Sequence, residues 1–514
     1  MTSRVAVAAP NRLAADAGLA AARAGGGAVD VAIAAITTAM SSEPGIVSPM
    51  AGGFITIWPP DGPPEVIDGN IVMPGRDRPA EAFGGGLREV TTTYGGGLTL
   101  LAGHGSVGVP GIWAALGRAH ERHGAAPWAD LLAPATAVAR DGYPVGAAAA
   151  SYLALVGDSI YGWDPGTHAL LHHADGRVVT TGDIVVQPDL AATFDTIARE
   201  GWQSVHTGSI ARAIVADMDA RGGLVSAADL ADYEAVVRQP LLVDVGQWQV
   251  ATNPPPAIGG PMLSLMLGAL VERGGERATW ADVIEIQRRV LSFRADRIDR
   301  SRDLEADGWA ALAAAQRYGL DGLPTSPNTV HVSVVDGAGM ACSITASAGY
   351  GSGAMVPGTG LLLNNCLGEL ELNQLGVHAL APGTRLASNM APTVAAAADG
   401  RRLAIGSPGA DRITTALMQV LGAAFLDDEH LQDAIDRPRV HVRIDGGGVV
   451  DDGVLVEHES DPAIARAVAD GGWHGREHEG ISMYFGGVGA ALRHADGTLL
   501  AAADPRRVAA TALG

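Results

Sequence analysis

The clearest alternation of apolar and polar positions lies between Pro327 and Asn365. Val330, Val332 and Val334 alternate with His331, Ser333 and Val335. Asp336-Gly337-Ala338-Gly339 then breaks the run, and a second alternating segment extends from Met340 to Ser347. Period-two runs on either side of a glycine-bearing break predict a hairpin with one apolar face and one wet, polar face. A three-residue loop, Gly337-Ala338-Gly339, pairs Asp336 with Met340 and sets Ser347 opposite Thr329, whereas a two-residue loop sets Ala346 there. Opposed residues hold their Cβ atoms about 4.5–5.5 Å apart, so two hydroxyls at the open end of the hairpin could share a hydrogen bond. On alternation alone, an ordinary half-buried sheet edge with Ser and Thr on its wet face is the better fit.

Helical spacing dominates elsewhere. Asn11 to Ala24 places Leu13, Ala17, Ala20 and Ala21 on one side and stops at Gly25-Gly26-Gly27; Ala28 to Met40 resumes with Val29, Ile33 and Thr37, with Asp30 as a capping or buried structural carboxylate. Residues 105–116 and 127–145 read as turn-to-helix elements, and Ser226 as the N-cap of a short helix. Residues 253–260 form a proline-rich turn before a long apolar helix, and 275–322 is helical. Two prolines in 323–328, LPTSPN, keep the chain extended ahead of Thr329.

A chain of 514 residues exceeds the size at which one core stops growing, so it forms either one very large α/β unit or two intimately packed layer systems. Its 47% hydrophobic content is mostly Ala, Val and Leu, and its 69 glycines favour close packing and many turns. A net charge of −21 argues against nucleic acid or an anionic membrane as partner. Cys342 and Cys366 are too few for a disulfide scaffold and lack metal-site spacing, so a reducing, cytoplasmic setting is expected. The N-terminal segment has no continuous apolar stretch, and no run of about 18 apolar residues predicts a membrane span. No metal or other cofactor is expected, since the His–acid pairs near the C-terminus lack ligand spacing.

The block TVHVSVVD, a turn, a polar strand, then YGSG and GLLLNN resembles the start of the small subunit in the γ-glutamyltranspeptidase family. The likeness continues in AGGGAVDVAIAA, SPMAGGFITIW, GSVGVPGIWAAL, NPPPAIGG, GTRLASNMAPTV, LAIGSPGADRITTAL, IDRPRVHV and AAADPRRVAA, in order along nearly the whole chain. It implies a four-layer αββα sandwich, the fold of N-terminal-nucleophile hydrolases, which cut themselves before a threonine. Here the cut bond would be Asn328–Thr329, dividing the chain into a large segment, 1–328, and a small segment, 329–514, within one unit. A threonine made N-terminal carries its own base, the freed α-amino group, whose pKa lies near neutrality.

The resemblance also assigns roles. Ser347 would hydrogen-bond the Thr329 oxygen, and the N–H groups of Gly409 and Ala410, in the turn 406–410, would bind the oxyanion. Relatives have glycine where Ala410 stands. His331 and Ser333 share the face of Thr329 and would support the pocket from behind. Relatives grip the glutamyl α-carboxylate with an arginine where Asn70 stands, and an amide does not replace a guanidinium fork; Arg76 would substitute only if its loop folds back. Glu369, Ser388 and Asn389 complete the expected clamp, Asn389 replacing a serine. At most half of the glutamyl clamp survives. Cephalosporin acylases, oxamate amidohydrolases and carbon–carbon-cleaving hydrolases of alkylproline-antibiotic pathways resemble the same family with other acyl groups. Three readings follow: a self-processing threonine hydrolase acting on a small acyl substrate, a true γ-glutamyltransferase, and an unprocessed, catalytically silent metabolite-binding homologue. A homo-oligomer is left open. Cys366 is read as a buried neutral thiol rather than a rival nucleophile, and His104 as a loop histidine with a structural hydrogen bond.

Overall fold

The structure is a computed structural model that describes residues 3–93, 97–273, 277–318, 329–409, 411–444, 453–507 and 509–514. The strands of its two large sheets are, in chain order, β1 (Val5–Ala9), β2 (Gly52–Trp58), β3 (Glu65–Gly69), β4 (Val236–Arg238), β5 (Leu241–Val245), β6 (Trp248–Thr252), β7 (Val330–Asp336), β8 (Ala341–Ser347), β9 (Thr393–Ala397), β10 (Arg402–Gly406), β11 (Gly489–Arg493), β12 (Leu499–Ala503) and β13 (Ala510–Leu513). One sheet has the order β13-β1-β7-β8-β2-β3-β4 and the other β12-β11-β10-β9-β6-β5.

Each sheet carries helices on its outer face. Helices α1 (Arg12–Arg23), α2 (Ala28–Ser42) and α3 (Ile112–His123) pack on the first, with α4 (Trp128–Asp141) stacked on α2; α5 (Gly259–Val271) and α7 (Arg412–Phe425) pack on the second, with α6 (Trp280–Arg297) stacked on α5. Val330, Val332 and Val334 join Val29, Ile33 and Ile36 of α2 in one core. Burying each valine contributes about 1.5–3 kcal/mol. Leu403 and Ile405 join Leu263, Leu267, Leu417 and Leu421 in the other core. Where the sheets face each other most residues are small, with Ala6, Ala251, Ala341, Ala404 and Ala491 packed beside Val335, Val394 and Trp58. This is the expected four-layer αββα sandwich.

Local chemistry sets the helix starts, at Asp30 and Ser226 as anticipated. The Asn11 side chain accepts from Ala14 N at 2.9 Å, Asp30 accepts from Gly27 N at 2.9 Å, and Ser226 accepts from Asp229 N at 3.1 Å. Among the described residues of 277–318 the expected helical region consists of α6 and a helix over Leu304–Tyr318.

The hairpin adopts the three-residue loop. Asp336 N donates to Met340 O at 3.0 Å, Gly339 N donates to Asp336 O at 3.1 Å, and the ladder runs from Val335–Ala341 to Val330–Ala346. One step further, Ser347 stands opposite Thr329. The expected wet face does not exist. His331, Ser333, Ser343 and Thr345 are at most 4% exposed, because β7 and β8 are interior strands and the second sheet lies over them. Alternation reports contrast between faces, not whether water or a second polar layer covers the polar one.

Candidate active site

Thr329 enters β7 between β1 and β8, on the same face as His331 and Ser333, and is 2% exposed. The polar groups behind it satisfy one another. Ser333 Oγ donates to Gly489 O at 3.0 Å, so it accepts from His331 Nε2–H at 2.6 Å; His331 Nδ1 then accepts from Thr345 Oγ1 at 2.9 Å. Burial pushes His331 down to about 3, so the ring is neutral at pH 7. Two bonds to Ser343 join the sheets beside this seam: Ser343 Oγ donates to Ile405 O at 3.0 Å and accepts from Thr393 N at 3.1 Å.

On the β8 flank, Ser347 is half-buried and its Oγ accepts from Gly349 N at 3.2 Å. A Cβ added to Gly349 would stand 2.3 Å from Asn365 Oδ1 and 3.1 Å from Glu369 Oε2, so Glu369 reaches the same turn. Burial first, then the charge of Glu371, holds the Glu369 carboxyl well above its ordinary value. Burial likewise holds the Cys366 thiol high, with Glu369 adding to it, as expected of an inert neutral thiol.

Behind Ser347, Gly52 pairs with it and packs against the backbone of Asn70 and Ile71. Asn70 is a tertiary anchor. Its Nδ2 donates to Leu386 O at 2.8 Å, and its carbonyl accepts from Tyr233 Oη at 2.7 Å and Arg385 Nη1 at 2.8 Å. Ser388 Oγ accepts from Met390 N at 3.3 Å, and Asn389 Oδ1 accepts from the buried Arg294 Nη1 at 2.7 Å. Arg76 is held by carboxylates of another segment. Its guanidinium is 40% exposed, 3.9 Å from Asp229 and 3.8 Å from Asp232.

From the second sheet, β10 ends at Gly406 beneath the His331 ring and continues through Ser407 and Pro408 to Gly409. Gly409 has φ of +121°, which suits glycine. Pro408 lines the cleft that holds Thr329 and His331. The expected oxyanion donor Ala410 and the residue Asn328 lie outside the described residues.

Sequence reasoning missed Glu43 and Arg507, which line the cleft on the β1 flank, and Arg294 behind Asn389. A lone Glu before Pro44 and an Arg near the C-terminus carry no spacing that would single them out. His104 has its structural partner, with Nε2 3.0 Å from Asp217 Oδ2. Among the described residues no cluster of His, Cys, Asp and Glu is arranged to hold a metal, and no helix is long and apolar enough to cross a membrane.

Residues 14–514 match the profile of the family described as Gamma-glutamyltranspeptidase. The chain is 31% identical over 478 residues to the Glutathione hydrolase proenzyme of Pseudomonas aeruginosa, spanning 85% of this chain and 82% of that protein. It is 29% identical over 515 residues to the Acylase ACY 1 proenzyme of a Pseudomonas species, spanning 93% and 88%. Among solved structures, the cephalosporin acylase from Bacillus halodurans superposes with a TM-score of 0.81 at 25% identity, over 99% of this chain and 96% of that one. With the stacked sheets and the residues that meet around Thr329, these likenesses place the chain in the γ-glutamyltranspeptidase family of N-terminal-nucleophile hydrolases and acyltransferases.

Proposed function

We propose that the chain is a self-processing threonine hydrolase that cuts an amide or related acyl bond of a small metabolite through an acyl-enzyme. Cleavage of Asn328–Thr329 would yield two segments, 1–328 and 329–514, that stay together as one sandwich. The observation that carries this reading is the register of β7 and β8, which, continued one step beyond Val330–Ala346, sets Ser347 opposite Thr329, a residue that lines the inter-sheet cleft. After cleavage the α-amino group takes the Oγ proton as Oγ attacks the substrate carbonyl. The oxyanion then meets the N–H of Gly409 and its neighbour Ala410, donors worth about 2.7–4 kcal/mol each in such sites. Water opens the resulting ester.

The acyl group is read as something other than γ-glutamyl. Asn70 offers no guanidinium and its amide is already committed to Leu386 O, so a free α-carboxylate would lack its usual fork. Acyl groups of secondary metabolism, including those released by carbon–carbon cleavage in alkylproline-antibiotic assembly, belong to this reading, as does a cytoplasmic site of action. A γ-glutamyl donor is the second reading, favoured by the 31% identity to a glutathione hydrolase.

Intact-mass spectrometry tests the first step. Two fragments divided before Thr329 support either enzyme, and a Thr329→Ala chain should stay whole and inactive. A persistently intact wild-type chain supports a silent binding homologue instead. Brisk release from a γ-glutamyl anilide would favour the second reading over the first.

A further inference from the structure

Self-cleavage needs a base that the uncut chain does not yet own. Until the bond before Thr329 breaks, the Thr329 nitrogen is an amide and accepts no proton, so the proton of Oγ must go elsewhere. Among the described residues three titratable side chains line the cleft: His331, Arg507 and Glu43. His331 is excluded because Nε2 donates to Ser333, Nδ1 accepts from Thr345, and the ring stays neutral. Arg507 is a guanidinium and has no basic atom to offer.

Glu43 remains. It follows the end of α2 directly, is 2% exposed, and holds Oε1 against Asn11 Nδ2 at 2.6 Å. Its Oε2 is buried and has no hydrogen-bond partner among the described residues, an arrangement that normally costs a carboxylate several kcal/mol and persists where function uses it. We propose that Glu43 is the proton acceptor for self-cleavage, taking the Thr329 Oγ proton directly or through one bridging water. This rests on the reading of Thr329 as the nucleophile.

The step balances without any added reagent. As Oγ bonds to the preceding carbonyl carbon its proton passes to the Glu43 carboxylate; as the C–N bond breaks, Glu43 returns that proton to the departing nitrogen. The product is an ester at Oγ and a free amine on Thr329. Water then adds to the ester carbonyl, Oγ leaves with a proton, and the preceding residue ends in a carboxylate. A relay that both takes and returns a proton works best with a pKa near ambient pH. Burial pushes Glu43 up to about 7, against the opposing Asn11 hydrogen bond and the Arg507 charge. The groups that face it are Arg507, neutral His331, neutral Asn11 and Tyr143, whose hydroxyl is held protonated by burial and by the Glu43 charge.

The test follows the first-order splitting of freshly translated full-length chain by mass spectrometry from pH 5 to 9. Wild-type splitting should accelerate as pH rises through one ionisation near 7 and level off above it. Glu43→Gln keeps an acceptor for Asn11 but offers no base, so it should split at least about 100-fold more slowly, without that ionisation. Glu43→Asp should recover part of the rate. Equal rates and profiles for wild type and Glu43→Gln overturn the assignment of Glu43 alone. A wild-type profile flat from pH 6 to 8 overturns it as well, whether or not the Gln variant folds. A wild-type chain that never splits overturns the threonine-nucleophile reading and this inference with it.

Discussion

Gly406 and Gly489 face each other across β10 and β11, both on the inter-sheet side, yet they should respond oppositely to an added methyl group. At Gly406 a Cβ would lie 2.3 Å from His331 Cε1, 2.4 Å from Nδ1 and 2.8 Å from Nε2, so the ring must move by about 1 Å to reach ordinary contact. At Gly489 the nearest atoms are Ala8 Cβ at 3.4 Å and His331 Cδ2 at 3.7 Å, and nothing need move. Displacing the ring costs about 1–3 kcal/mol of overpacking. Losing its bonds to Ser333 and Thr345 adds about 0.5–1.5 kcal/mol each. The sum is about 2–6 kcal/mol, and a 514-residue chain loses about 1 °C of melting temperature per kcal/mol. Because Thr329 sits two residues from His331 on the same face, a shift of about 1 Å should also slow self-cleavage and turnover by roughly 100-fold. Thermal melts and splitting rates of Gly406→Ala and Gly489→Ala, measured side by side, decide the matter. Similar behaviour of the two variants would refute the claim that the His331 seam positions the nucleophile.

Removing the Ser347 hydroxyl in Ser347→Ala should lower kcat by about 2- to 13-fold, the worth of one hydrogen bond of about 0.5–1.5 kcal/mol, with KM little changed; an unaltered kcat would deny it a role in orienting Thr329. Arg294→Leu leaves Asp299 buried without its partner 2.8 Å away, so unfolding by denaturant should show a loss of about 3–5 kcal/mol that the paired change with Asp299→Leu largely restores. Glu457 predicts acid sensitivity. Burial alone would raise its carboxyl, but the neighbouring His478 imidazole, the hydrogen bond from Tyr484 and the nearby His441 and Arg412 hold it at about 2. Its contribution, about 3 kcal/mol, is therefore complete above the unfolded value near 4.5 and fades as pH falls toward 2. Glu457→Gln should flatten the stability slope over that window, and an unchanged slope would mean other carboxylates set it.

What the sequence disclosed was mostly local. Loop length fixed the register that brings Ser347 to Thr329, and short polar side chains at Asp30 and Ser226 marked helix starts because capping depends on immediate neighbours. Family likeness supplied the layers. Contacts between distant segments were not legible. The polar face of the hairpin reads as wet until a second sheet is known to cover it. Asn70 is visible as a missing arginine, but its tie to Leu386 across 316 positions is a tertiary fact. Glu43 and Arg507 come from opposite ends of the chain, and only the folded sandwich puts them on the walls of one cleft.

The most direct test of the whole account is N-terminal sequencing of the active protein. Two sequences should appear together, one from the start of the chain and one reading Thr-Val-His-Val from Thr329 onward. Full activity in a preparation that yields the first sequence alone would contradict a mechanism in which the nucleophile becomes a chain end.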